Sequence, residues 1–123
     1  MADIDVSSFL HPGHLVVALR GELDISDAPG LARALSAAAG SGSPIIVDLA
    51  GLTFIDCSSL SALACAREKA RQAGGDLVLA APQRQVLRVL SLTSLIDQLP
   101  VFASVEEAAN GGPRPPESID LAS

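Results

Sequence analysis

Aromatic side chains are nearly missing from this chain: it has no Trp, no Tyr and only three Phe among 123 residues. Single-strand nucleic-acid binding by base stacking is thereby excluded, because that mode needs a row of aromatic platforms. Basic residues are scarce as well. Eight Lys and Arg stand against fourteen Asp and Glu, a formal net charge of −6, which argues against nucleic acid or an anionic membrane recognised by bulk charge. Two cysteines are too few for the disulfide framework of a small secreted domain. Eight residues apart on one helix, Cys57 and Cys65 would be separated by about 12 Å, beyond the roughly 7 Å Cα limit for a bridge. Both are therefore expected as free thiols. No apolar run approaches the length needed to cross a bilayer, and residues 1–9 carry Asp3 and Asp5 without a basic apolar leader. The expectation is a soluble, cytoplasmic protein with no membrane insertion.

What is present is a core built from Ala, Leu, Val and Ile. Hydrophobic residues make up 49% and charged residues 18%, enough apolar material for one folded domain at this length. Residues 4–10 and 15–19 flank a His11-Pro12-Gly13-His14 turn and read as an antiparallel hairpin. Leu31, Ala34, Leu35 and Ala38 recur at helical spacing behind Asp27 as cap and Pro29 in the first turn. Residues 45–47 and 77–79 are short apolar runs without polar alternation, as in strands buried on both faces. A helix is predicted from about Ser58 to Ala73, closed by Gly74-Gly75. Another opens at Pro82 and runs to Leu92, with Val86, Leu87 and Leu90 inward. Val101-Phe102 is a minimal strand, and Ser104-Val105-Glu106-Glu107 has the spacing of a capping box. The order β-β-α-β-α-β-α-β-α predicts an α/β fold with a mixed sheet of four to five strands and helices mainly on one face. Residues 1–109 read as one domain, and residues 110–123, rich in Pro and Gly, as a disordered tail.

Two segments carry more than fold. Arg20-Gly21-Glu22-Leu23-Asp24 ends the second strand, and about thirty residues later comes Leu52-Thr53-Phe54-Ile55-Asp56-Cys57-Ser58-Ser59-Leu60. This pair resembles the STAS domain of anti-sigma factor antagonists, in which a Gly-Glu-Leu-Asp element precedes the first helix and an Asp-Ser-Ser-Gly-Leu element opens the second. The resemblance runs from about Val6 to Ala109 and implies a STAS fold and a regulatory switch rather than an enzyme. It implies an anti-sigma factor with serine kinase activity as partner, a serine phosphatase that resets the switch, and control of sigma-factor-dependent transcription. By position it makes Ser58 the phosphoacceptor and Asp56 the preceding acid. The sequence departs from the motif twice, with Cys57 in place of the first Ser and Ser59 in place of Gly. Ser59 is therefore an alternative acceptor. A non-phosphorylated interaction subunit of a stress-signalling or lipid-transport complex is the alternative reading.

The chemistry of the acceptor follows from its place. A helix N-terminus has unpaired amide donors and a positive macrodipole end, and a phosphate brings about −1.5 to −2 charges into one spot of an interface. Ser58 also reads as an ordinary helix cap, and the two motifs together favour the acceptor. At 100° per residue, Leu63, Ala66, Ala70 and Ala73 should face the sheet, leaving Ser61, Ala64, Cys65, Glu68 and Gln72 outward. The expected partner surface is Glu22, Asp24, Asp56, Cys57, Ser58, Ser59, Ser61 and Cys65. Cys57, a thiol at a helix start, is a candidate redox group, although Cys is also simply a small stand-in for Ser. A hydrolase using Ser58 or Cys57 with His11 or His14 lacks the Gly-x-Ser-x-Gly setting. Nothing has the spacing of a metal loop, so no catalytic residue, metal or cofactor is expected.

Overall fold

Both faces of the central strands must be covered if their apolar runs are continuous, and the computed structural model shows how this is done. It describes residues 4–11, 13–23, 28–93 and 99–111. Strands β1 (Ile4–His11), β2 (His14–Leu23), β3 (Ile45–Ile55), β4 (Leu77–Ala80) and β5 (Val101–Phe102) form one sheet in that spatial order. β1 is antiparallel to β2, and the other pairings are parallel. The mixed sheet expected from the hairpin is therefore present. Helices α1 (Ala28–Ala39), α2 (Cys57–Gln72), α3 (Arg84–Leu92) and α4 (Val105–Gly111) complete the alternation.

Successive strand residues point to opposite faces, and the two cores divide accordingly. Val17, Leu19, Ile45, Val47, Leu77 and Leu79 join Leu31 and Leu35 of α1, Leu60 and Leu63 of α2, and Val86 and Leu90 of α3. Val16, Ile46, Val78 and Ala80 lie on the other face with Phe102 and Ala108 of α4. Among the described residues, three helices thus pack on one side and a short one on the other.

β3 departs from its predicted end near Asp48 and continues seven residues further, to Ile55. The reason is a double slip in register. Two steps along β2, from Ala18 to Arg20, match three along β3, from Asp48 to Gly51; one step, Gly21 to Glu22, matches two, Leu52 to Phe54. Each slip is a β-bulge with an extra residue on β3. Leu49, Leu52 and Ile55 therefore enter the same core at spacings of three, a pattern that does not read as a strand. Side chains satisfy the bulged segment. Gln83 Nε2 donates to Ala50 O at 2.7 Å and Gln85 Nε2 to Thr53 O at 3.3 Å. The Ala50 amide donates to Asp48 Oδ1 at 3.0 Å, and Thr53 Oγ1 to Gly21 O at 3.1 Å.

Other expectations shift by a residue or two. Ala34 is exposed, and Leu31, Leu35 and Ala39 are the buried face of α1. Ala73 is the exposed C-cap of α2 rather than part of its buried face. That end is a Schellman turn: the Gly75 amide donates to Ala70 O and the Gly74 amide to Arg71 O, with Gly74 at φ 96°. α3 begins at Arg84, two residues after Pro82, and Leu87 is exposed. The Glu107 amide donates to Ser104 Oγ at 3.0 Å, capping α4, which runs through Gly111. Asp24, Asp27, Pro12 and residues 112–123 lie outside the described residues.

Candidate functional site

β2 and β3 run parallel, so their C-terminal ends meet, and α2 starts one residue beyond β3. Asp56 is the residue between them. Its backbone is extended, at φ −113° and ψ 176°, and its side chain caps the helix. Oδ1 accepts the Ser59 amide at 3.0 Å and the Ser58 hydroxyl at 2.8 Å. The cap is thus Asp56 and not Ser58, which occupies the second helical position. An Asp there complements the macrodipole and satisfies an amide that lacks a helical partner. The first turn of α2 itself contains no acidic residue.

Ser58 is half-buried and Cys57, the first helical residue, is exposed. Ser61 and Cys65 follow on the outer face and are also exposed. Both cysteines are free thiols. Glu22 is exposed on β2 and pairs in register with Phe54 of β3, two residues before Asp56. The structure therefore brings Glu22, Asp56, Cys57 and Ser58 to one end of the sheet, with Ser61 and Cys65 continuing along the helix. Asp24 is outside the described residues.

Ser59 has to be taken off the partner surface. Its side chain is 0% exposed and its hydroxyl has no hydrogen-bond partner among the described residues. The third residue of α2 turns into the core beside Leu60, where neither a kinase nor a docking partner reaches it. Burying a hydroxyl unpaired costs about 1–3 kcal/mol. Ser59→Ala keeps the amide that donates to Asp56 and removes that hydroxyl, so it is expected to raise stability by about 1–2 kcal/mol. A urea titration beside wild type measures this. An unchanged or lowered midpoint would mean that the hydroxyl is solvated or bonded in solution.

Sequence reading missed Phe54, whose side chain is 47% exposed. The signal was available, since one of only three Phe residues lies inside the second motif. The histidines, by contrast, are far from this end. His14 starts β2 and pairs with His11, about 30 Å of strand from Leu23, so neither can act as a base for Ser58 or Cys57. Among the described residues no group of three or more His, Cys, Asp and Glu is placed to hold a metal, and no helix is long and apolar enough to cross a membrane.

The family model of the STAS domain matches residues 9–108. The anti-sigma-F factor antagonist RsfA of Mycobacterium tuberculosis is 31% identical over 101 residues, covering 80% of this chain and 79% of RsfA. A crystal structure of an anti-sigma factor antagonist from Mycobacterium paratuberculosis superposes with a TM-score of 0.79 at 28% identity, over 88% of this chain and 92% of that one. SpoIIAA, a Bacillus cell fate determinant, shares the fold at 22% identity. Its unphosphorylated form has a TM-score of 0.69 over 87% of this chain and 93% of its own. For its phosphorylated form the TM-score is 0.63, over 87% and 96%. The chain belongs to the STAS domain family of anti-sigma factor antagonists. These are regulatory binding proteins, and the expectation of a STAS fold formed from the two motifs is met.

Proposed function

We propose that this protein binds an anti-sigma factor with serine kinase activity through the N-terminal end of α2, and that phosphorylation of Ser58 releases the partner. A serine phosphatase then restores binding, so the two modification states set how much sigma factor is free for transcription. One observation carries the reading: at the family's acceptor position stands a half-buried hydroxyl, held 2.8 Å from the Asp56 carboxylate at the mouth of a helix. The relationship to RsfA and the existence of SpoIIAA in two phosphorylation states support it.

The switch follows from charge. The unmodified hydroxyl is neutral and donates to Asp56, so a docking partner meets small side chains at Cys57, Ser58 and Ser61. A phosphate cannot donate that hydrogen bond. It places about −1.5 to −2 charges beside an existing carboxylate, at a surface that must lose water when the partner docks. Like charges in such a setting cost several kcal/mol, and every 1.4 kcal/mol is about tenfold in affinity. Glu22, Asp56, Cys57, Ser61 and Cys65 complete the proposed contact surface, with Asp24 as its continuation along the chain.

The test is direct. Purified anti-sigma kinases, beginning with the anti-sigma-F factor of Mycobacterium tuberculosis, are incubated with the protein and Mg-ATP, and the product is mapped by peptide mass spectrometry. Phosphate confined to Ser58, with loss of kinase binding, is the expected outcome. Binding without modification would favour an interaction subunit that is never phosphorylated.

A further inference from the structure

α4 covers only part of its face of the sheet. Seven helical residues extend about 10 Å, whereas the ten residues of β2 extend about 33 Å. Ala108 reaches Val16 and Ile46 near the starts of β2 and β3. Beyond them the same face of β2 presents Ala18, Arg20 and Glu22, and the register places Asp48, Gly51 and Phe54 opposite them. Arg20, Glu22 and Phe54 are exposed. The two slips together restore the alternation of β3, so Phe54 lies on the side of Ile46 while its neighbour Ile55 is buried on the other.

We propose that this uncovered corner is part of the partner's footprint: Phe54 is its apolar anchor, and Glu22 selects a receiving pocket rimmed by basic side chains. The inference rests on the reading that Ser58 lies in an anti-sigma interface, and it extends that interface over the end of β3. Phe54 precedes Ser58 by four residues, so the two surfaces are continuous. A stable interface needs about 800 Å² from each partner, and Cys57, Ser58, Ser61 and Cys65 are all small. An aromatic buried in a partner pocket supplies what they lack, as interface anchors commonly do. Charge points the same way. Among the described residues, the corner sets one cation, Arg20, against the carboxylates of Glu22, Asp48 and Asp56. Arg20 lies with its stem over Gly51, where a Cβ would come within 2.8 Å of its Cγ. Asp48 and Asp56 are engaged with their own backbone. The Glu22 side chain makes no hydrogen bond or ion pair among the described residues, which leaves its carboxylate available to a partner cation.

Wild type, Phe54→Ala, Phe54→Leu, Glu22→Lys and Ser58→Asp are titrated against the anti-sigma kinase that phosphorylates the protein, at low and high salt. Phe54→Ala is expected to bind about thirtyfold more weakly, with its circular dichroism and Tm near wild type, and Phe54→Leu to recover most of the loss. Glu22→Lys should slow association about tenfold at low salt, with the difference shrinking at high salt. Phe54→Ala at wild-type affinity, with Ser58→Asp still weakened, overturns the anchor and leaves the phosphorylation switch standing. A wild type that no anti-sigma kinase binds overturns both. A dimer of this chain that depends on Phe54, seen by sedimentation velocity, assigns the corner to a second copy and overturns the proposal.

Discussion

Ser58→Asp is expected to weaken binding to the anti-sigma partner by about tenfold or more while leaving the fold in place. The fold survives because the second helical position is open to an acidic residue, where the macrodipole favours negative charge. Binding suffers because a fixed charge then sits beside the Asp56 carboxylate in a surface that must be desolvated. Aspartate carries one charge where phosphate carries nearly two, so phosphorylated wild type should bind more weakly still. Ser58→Ala loses only the 2.8 Å bond to Asp56, and Asp56 retains the Ser59 amide. That variant should bind like the unmodified protein and stay bound when ATP is added. Calorimetric titration of both, with and without ATP, decides the matter. An Asp variant of wild-type affinity would show that charge at this hydroxyl is not what governs release.

The largest stability effect is expected at the other end of the sheet. Gly75→Ala should destabilise the protein by about 3 kcal/mol, lowering Tm by roughly 10 °C or more. A Cβ on Gly75 would lie 2.7 Å from Ser43 O and 2.8 Å from Gly42 O. Both are backbone atoms and cannot swing aside as a side chain would. The loops before β3 and β4 touch main chain to main chain here, and an added methyl must push them apart. Gly74→Ala is the natural comparison. A Cβ there has open space, and its φ of 96° is the only obstacle, so about 1 kcal/mol is expected. Denaturant titrations give both values. Since this end is remote from Ser58, the folded fraction of Gly75→Ala should keep its partner affinity.

The succession of elements was readable because each segment announces itself chemically. The Pro12-Gly13 turn marks the hairpin. Runs such as Ile45-Ile46-Val47 lack polar alternation because helices cover both faces of the sheet. The family and the position proposed for the acceptor were suggested by Asp56-Cys57-Ser58 together with Gly21-Glu22-Leu23. The failures share a cause, which is that they depend on contacts between segments distant in sequence. The bulges in β3 are held by Gln83 and Gln85, more than thirty residues on, so Leu52–Ile55 did not look like strand. Ser59 looked like a surface hydroxyl because local polarity says nothing about which way the third residue of a helix turns. Helical period alone placed Ala73 inward, but the Schellman turn ends the helix just before it.

The slips in β3 also bear on how this segment tolerates changes in length. Connecting segments usually absorb insertions and deletions, and the stretch from Asp48 to Asp56, although a strand, carries two residues of slack, one in each slip. Losing Ala50 would remove the first slip and losing Thr53 the second, and in either case Phe54, Ile55 and Asp56 would keep the faces they now have. A change of one residue that no slip absorbs would instead turn Ile55 toward water, drive Phe54 under α2 and bring Asp56 a step out of phase with the helix it caps. Relatives that keep the ends of β3 in place are therefore expected to differ in this stretch by one or two residues in length as well as in which residues fill it.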